Sequence, residues 1–235
     1  MPIVPLQTAT NSTTSSTQTA SITATFPAAP TPGNLMVIMV ICVAIGGTPV
    51  ITTPAGWTQV ETKSGTDGYI SLYDRVAVAA DPAAVTVSKS ATTGSWAITM
   101  YEFPGMLAAP LDVHTSAVAS SVTSEASGTT GASTQAYELQ FAGVGIIGTW
   151  AAAGTPAWTP AGFVKLNDIS TSTTTNTGGV STAVNTVSAT GTATATAGWT
   201  NSVSAAATVI ATFKASVWIR PRLDNPISVK RASQR

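Results

Sequence analysis

An uninterrupted apolar run from Leu35 to Ile45, eleven residues long, sets the strongest condition on how this chain folds. It is shorter than the about 18–20 apolar residues that carry a helix across a bilayer, so no membrane anchor is expected. On length alone it suits a buried helix or a strand. Its Val and Ile content, the Pro32-Gly33 entry and the Gly46-Gly47 exit favour a central strand. A strand that is apolar at every position has no side for water, so both of its faces must be covered.

The surrounding sequence predicts further strands. Ser21 to Phe26 alternates small or polar residues with larger apolar ones, the period of a half-buried strand. Thr58 to Thr62, Tyr69 to Val78, Ala84 to Ser88 and Ser95 to Phe103 follow, separated by Gly, Asp-Gly or Asp-Pro punctuation, with Asp67-Gly68 read as a tight hairpin turn. Short strands with turns between them predict an all-β fold, a β-sandwich or jelly-roll-like architecture. Only 9% of residues are charged, against roughly 25% in an average globular protein. Ser and Thr must therefore keep the surface wet, and Thr also suits an extended backbone.

The second part of the chain echoes the first. Glu138-Leu139-Gln140-Phe141 stands where Asn34-Leu35-Met36-Val37 stood, Thr159-Pro160-Ala161-Gly162-Phe163 repeats Thr53-Pro54-Ala55-Gly56-Trp57, and Ala207 to Phe213 repeats Ala97 to Phe103. Each echo is displaced by a little over a hundred residues, in the same order. This predicts a sandwich over 21–215 built from two related halves, about 34–103 and 138–213, with a linker over 104–137 that is rich in Ser, Thr and Gly from Ser116 to Gln135. Periodicity leaves open whether the halves are two domains or two sheets of one sandwich. Five strands each favour one domain, since a lone half leaves a sheet face bare.

Both ends read as extended arms. Residues 1–20 are Pro-bounded and then almost wholly Ser, Thr, Gln, Asn and Ala, too polar to offset their own ordering entropy. They lack the basic and apolar regions of a secretory signal, so synthesis in a cytoplasm is expected. Residues 216–235 carry five of the ten basic residues and a single acid, and Pro221 and Pro226 forbid a regular helix or a central strand. Trp218, Ile219, Leu223 and Ile227 supply apolar anchors, and Arg220, Arg222, Lys230 and Arg231 supply charge. Such a peptide suits a grooved, acidic surface on a partner protein.

Little in the chain points to reaction chemistry. Lys plus Arg equals Asp plus Glu at ten each, so no overall field draws nucleic acid. The lone Cys42 forms no intrachain disulfide and anchors no multi-cysteine zinc site. The single histidine, His114, lies near Asp112 on one face of an extended segment, but no Gly-x-Ser-x-Gly elbow accompanies it. It is read as a surface residue, and Glu102 as a rim or edge carboxylate. Trp57 reads as a core plug, because Phe163 takes its place in the echo. Trp150 and Trp158 flank an Ala/Gly/Pro loop and are the candidates for an exposed glycan contact. No enzyme activity and no cofactor or metal is expected.

The order of Thr31-Pro32-Gly33-Asn34-Leu35-Met36-Val37, Pro54-Ala55-Gly56-Trp57-Thr58, Ser71-Leu72-Tyr73-Asp74-Arg75-Val76-Ala77, Asp81-Pro82 and Trp96-Ala97 leading into Tyr101-Glu102-Phe103-Pro104-Gly105 resembles a β-sandwich module of tailed-bacteriophage virion proteins. The stretch from Trp199-Thr200 through Ala205 to Lys214 is similar to that module's closing strand. The resemblance covers most of Ser21 to Lys214. It implies a virion location and a structural role, as a capsid decoration or minor capsid protein or as a tail or fibre protein. Its partners are then a major capsid or tail protein and further copies of itself in a symmetric array. It transfers no catalytic residues, and it does not extend to the basic tail.

Overall fold

A computed structural model of the chain describes residues 2–13, 19–43, 50–65, 68–90, 94–148, 150–171 and 178–216. Strands β1 (Gln7–Ser12), β2 (Ser21–Thr25), β3 (Leu35–Val43), β4 (Ile51–Thr52), β5 (Thr58–Gly65), β6 (Gly68–Val76), β7 (Ala84–Lys89), β8 (Ser95–Phe103), β9 (Met106–Ala126) and β10 (Glu138–Ile147) come first. One helical turn, α1 (Trp150–Ala153), precedes β11 (Ala157–Thr159), β12 (Val164–Ser170), β13 (Gly178–Val187) and β14 (Thr196–Ala215). The fold is all-β, with every strand pair antiparallel.

The apolar run becomes β3, the middle strand of a sheet ordered β1-β8-β3-β6-β5. All nine of its residues are buried. The pleat sends Leu35, Val37, Met39, Ile41 and Val43 to one side and Met36, Ile38, Val40 and Cys42 to the other, and each set enters a different core. On the second side a small sheet, β2-β7-β4, covers the strand with Ile22, Ala24, Ile51 and Val87, joined by Phe26 and Trp57. On the first side lies a second large sheet, β9-β14-β10-β13-β12, with β11 also paired to β14.

The two large sheets share one core. Leu139, Phe141, Val180, Val184, Val209 and Phe213 of the second pack against β3 and its neighbours. Tyr101, Phe103 and Phe141 cluster there with ring centroids 5.7–6.4 Å apart, a spacing that favours tilted aromatic pairs. Gly143 and Gly145 of β10 allow this approach. A Cβ on Gly143 meets Met39 at 3.0 Å, and one on Gly145 runs into Ile70 and Ile41. The outer face of β10 carries Ala142, Val144 and Ile146, and Trp150, Trp158, Phe163 and Trp199 shield it.

Both large sheets follow one plan. Each central strand, β3 or β10, lies between β8 or β14 on one side and an antiparallel pair, β6-β5 or β13-β12, on the other. Leu35 stands opposite Phe103 in one, and Leu139 opposite Phe213 in the other. β1 lines the outer side of β8 as β9 lines that of β14.

Two sequence expectations are corrected here. The segment 1–20 is not a free arm in its described part, because Gln7–Ser12 pairs residue for residue with β8 from Glu102 to Ala97. The linker over 104–137 is largely strand: β9 runs for 21 residues along β14. Neither segment buries much of itself. What orders them is the unfilled hydrogen-bond ladder on the outer side of β8 and β14. The hairpin residue Asp67 and the exit Gly46-Gly47 lie outside the described residues. Among the described residues, no helix is long and apolar enough to cross a membrane.

Candidate functional site

The basic segment with Trp218, Ile219, Arg220, Arg222, Leu223, Ile227, Lys230 and Arg231 lies outside the described residues, whose last strand ends at Ala215. The two tryptophans proposed for glycan contact are placed, and both are half-buried. Trp150 lies over Gly179, where a Cβ would strike its ring. Trp158 donates its Nε1–H to Ser181 Oγ at 3.1 Å and tilts against Phe163 at a centroid distance of 6.3 Å. Both pack against the outer face of β10 and β13, so they are less open than the loop's composition suggested. The loop looked exposed from its Ala, Gly and Pro content. The space that admits an indole comes from a glycine 29 residues away on another strand.

A groove of about 310 Å³ opens between the first large sheet and the small sheet, lined by Trp57, Arg75, Asp81, Pro82 and Val85 among others. Its charges neutralise each other. Arg75 binds Asp81 through Nε to Oδ2 at 3.0 Å and Nη2 to Oδ1 at 2.5 Å, a bidentate pair. Asp81 also accepts the Val78 N–H at 2.8 Å, and Arg75 reaches the Ala55 carbonyl at 3.3 Å. The pair fixes the β6–β7 turn against the Pro-Ala-Gly turn that carries Trp57.

A polar cluster lies where β5, the edge of one large sheet, meets β9, the edge of the other. His114 Nδ1 is 2.8 Å from Glu61 Oε1, and the Ser116 hydroxyl donates to Glu61 Oε2 at 2.9 Å. Nucleophilic catalysis by a serine requires its hydroxyl on the imidazole. Here both groups bind the carboxylate, which makes a clasp between sheets. His114 is 37% exposed, in keeping with the surface reading. Its partner is Glu61 across the sheets, not Asp112 on its own strand. Nearby, Asp74 is buried with Oδ1 unpartnered, and burial raises its carboxyl to about 6.

Each large sheet holds a fully buried glutamate, Glu102 on β8 and Glu138 on the central strand β10. Glu102, on β8, is 0% exposed, which corrects its reading as a rim residue. It accepts from Asn34 Nδ2 at 2.5 Å, from the Thr31 N–H at 2.9 Å and from Gln7 Nε2 at 2.5 Å. Burial pushes its pKa up, but these donors outweigh burial and leave it below the ordinary carboxylate value. It fastens β1 and the 31–34 turn to the sheet.

Glu138, at the start of β10, is also 0% exposed, yet neither of its oxygens has a well-formed hydrogen bond. Burial first, then the adjacent Asp112 carboxyl, raises it to about 7, against the pull of Thr212 and Lys214. Asp112 lies the other way. Burial raises it, but Glu138, the Thr134 N–H and hydroxyl, and Lys214 together bring it below the usual value. The Thr134 bonds are 2.5 and 2.7 Å long, and Lys214 Nζ is 3.9 Å from Asp112 Oδ1. Glu138 therefore keeps its proton to higher pH than Asp112 does, up to about 7. Sequence reasoning missed this group because its members converge only through pairing, with Glu138 opposite Lys214 in the β10–β14 register.

Among the described residues, no three His, Cys, Asp or Glu side chains gather closely enough to hold a metal ion. Comparison of the chain with known protein families, curated proteins and solved structures returned no match.

Proposed function

We propose that this chain is a structural protein of a bacteriophage particle, a capsid decoration or minor capsid subunit that acts through its surfaces and not through catalysis. A tail or fibre position is the alternative within the same class. The observation that carries the reading is what the fold does with its buried charge. Glu102, Asp112 and the Arg75–Asp81 pair each tie one backbone segment to another. Chemistry of that kind strengthens a shell subunit.

The two large sheets are, in this reading, copies of one β unit. The shared strand order and the matching Leu35–Phe103 and Leu139–Phe213 registers support it. Subunits repeated on a symmetric shell gain affinity by number, so weak individual contacts suffice. The partner is a major capsid or tail protein, bound through the basic segment 216–235, and the chain is made in the host cytoplasm.

The test is a deletion of residues 218–235, mixed with particles that lack the protein. The expected result is a chain that keeps its β circular-dichroism spectrum and no longer sediments with particles, while the full chain does. Normal decoration by the truncated chain overturns the docking role of the segment. Sedimentation of the full chain with isolated tails only, and not with heads, moves the assignment to the alternative.

A further inference from the structure

The group at Asp112, Glu138 and Lys214 has a geometry that exceeds what an ion pair needs. Three adjacent strands bring it together. Glu138 of β10 stands directly opposite Lys214 of β14, and on the other side of β14 the register sets Leu111 of β9 against Phe213. Lys214 is thus flanked by one acid from each neighbouring strand. The Asp112 side chain is only 4% exposed and Lys214 25%, while Glu138 is sealed from water. Their strand neighbours Leu139 and Phe213 point to the opposite face of the sheet, into the shared core.

We propose that Lys214 and Asp112 join in an intramolecular isopeptide bond, with Glu138 as the proton relay and Thr134 holding the carboxyl being attacked. The lysine nitrogen lies 3.9 Å from Asp112 Oδ1, beside the carboxyl group whose carbon it attacks. The Thr134 N–H on Oδ2, at 2.5 Å, is aimed where negative charge develops as the carboxyl carbon becomes tetrahedral. The Thr134 hydroxyl binds Oδ1, the oxygen that departs.

The reaction balances without any further reagent. The ammonium of Lys214 gives up one proton through Glu138, and its nitrogen lone pair attacks Asp112 Cγ, forming the C–N bond. The C–Oδ1 bond then breaks. The departing oxygen takes up two protons that were on the lysine nitrogen, one of them relayed by Glu138, and leaves as water. Glu138 begins and ends protonated, and nothing is oxidised or reduced. A buried carboxyl that keeps its proton near neutral pH is suited to this relay.

The product is a covalent staple between β9 and β14 in a chain whose single cysteine allows no internal disulfide. It closes the loop from Asp112 to Lys214, which restricts the unfolded chain as a disulfide does. It also fastens the end of β14, immediately before residues 217–235. The proposal stands independently of the virion reading.

Intact mass spectrometry of the full chain, unfolded in acid after incubation at neutral pH, tests it. The expected mass is lighter than the sequence by one water, with peptide mapping finding a branched peptide that joins Lys214 to Asp112. Lys214→Arg and Glu138→Gln variants are expected at full sequence mass, with circular dichroism confirming that each retains its strands. A wild-type chain at full mass overturns the proposal whatever the variants do. So does a water loss that persists in Lys214→Arg.

Discussion

Glu102, on the strand beside the first sheet's central strand, and Glu138, on the second sheet's central strand, are both fully buried carboxylates, yet they behave in opposite ways. Glu102 meets three N–H donors and is held ionised. Glu138 meets a second carboxyl and is held protonated up to about pH 7. Burial is the same for both, so the partners decide. Donors compensate for lost water and make Glu102 a structural tie. At Glu138 the neighbour is another acid, and the site stores a proton.

The sharpest way to break this comparison is to remove Glu102. Glu102→Ala leaves the Asn34 amide, the Thr31 N–H and the Gln7 amide without their acceptor. A loss of about 3 kcal/mol in urea-unfolding free energy is expected, since the buried Asn34 amide is left without its acceptor and two part-buried donors lose theirs. A loss comparable to that of an exposed substitution contradicts the tie.

The second prediction is smaller and depends on pH. The folded pKa of Glu138, about 7, lies above its ordinary value of 4.5, so the folded state holds the extra proton between those limits. Stability from this group therefore declines as pH rises from about 4.5 to 7 and stays lowered above. In a Lys214→Arg background, which removes the amine needed for cross-linking, Glu138→Gln should be close to neutral at pH 4.5. At pH 8 it should stabilise, on the order of 2 kcal/mol. Glu102 has the opposite sign. Its contribution is present above the ordinary carboxylate pKa and is lost as pH falls through its lowered value. Urea titrations across pH of Glu102→Ala against the natural chain, and of Glu138→Gln against its Lys214→Arg background, should therefore diverge in opposite directions.

The contrast between the nodes also shows what was legible in the sequence. β8 occupies Ser95 to Phe103 as read, and β3 begins at Leu35 with both faces covered as its unbroken apolar content demands. Those strands carry their own burial signal. β1 and β9 do not. Gln7–Ser12 and much of Met106–Ala126 are Ser, Thr and Ala, and their order comes from the edges they complete. The same holds for side chains. Trp57 was readable as a core plug from its turn, whereas Trp150 and Trp158 depended on Gly179 and Ser181 of β13. Glu102 and Glu138 acquire their roles from residues many positions away, at register positions that only the paired sheets define.

The central claim is that one core unites both large sheets, with β3 enclosed between two layers and β10 packed against it. Native-state hydrogen exchange at the amides of Leu35–Val43 and Glu138–Ile147 tests it most directly. These strands should exchange through one opening of the same free energy, equal to that of global unfolding. Exchange of β10 through a separate, lower-energy opening while β3 stays protected would contradict a shared core.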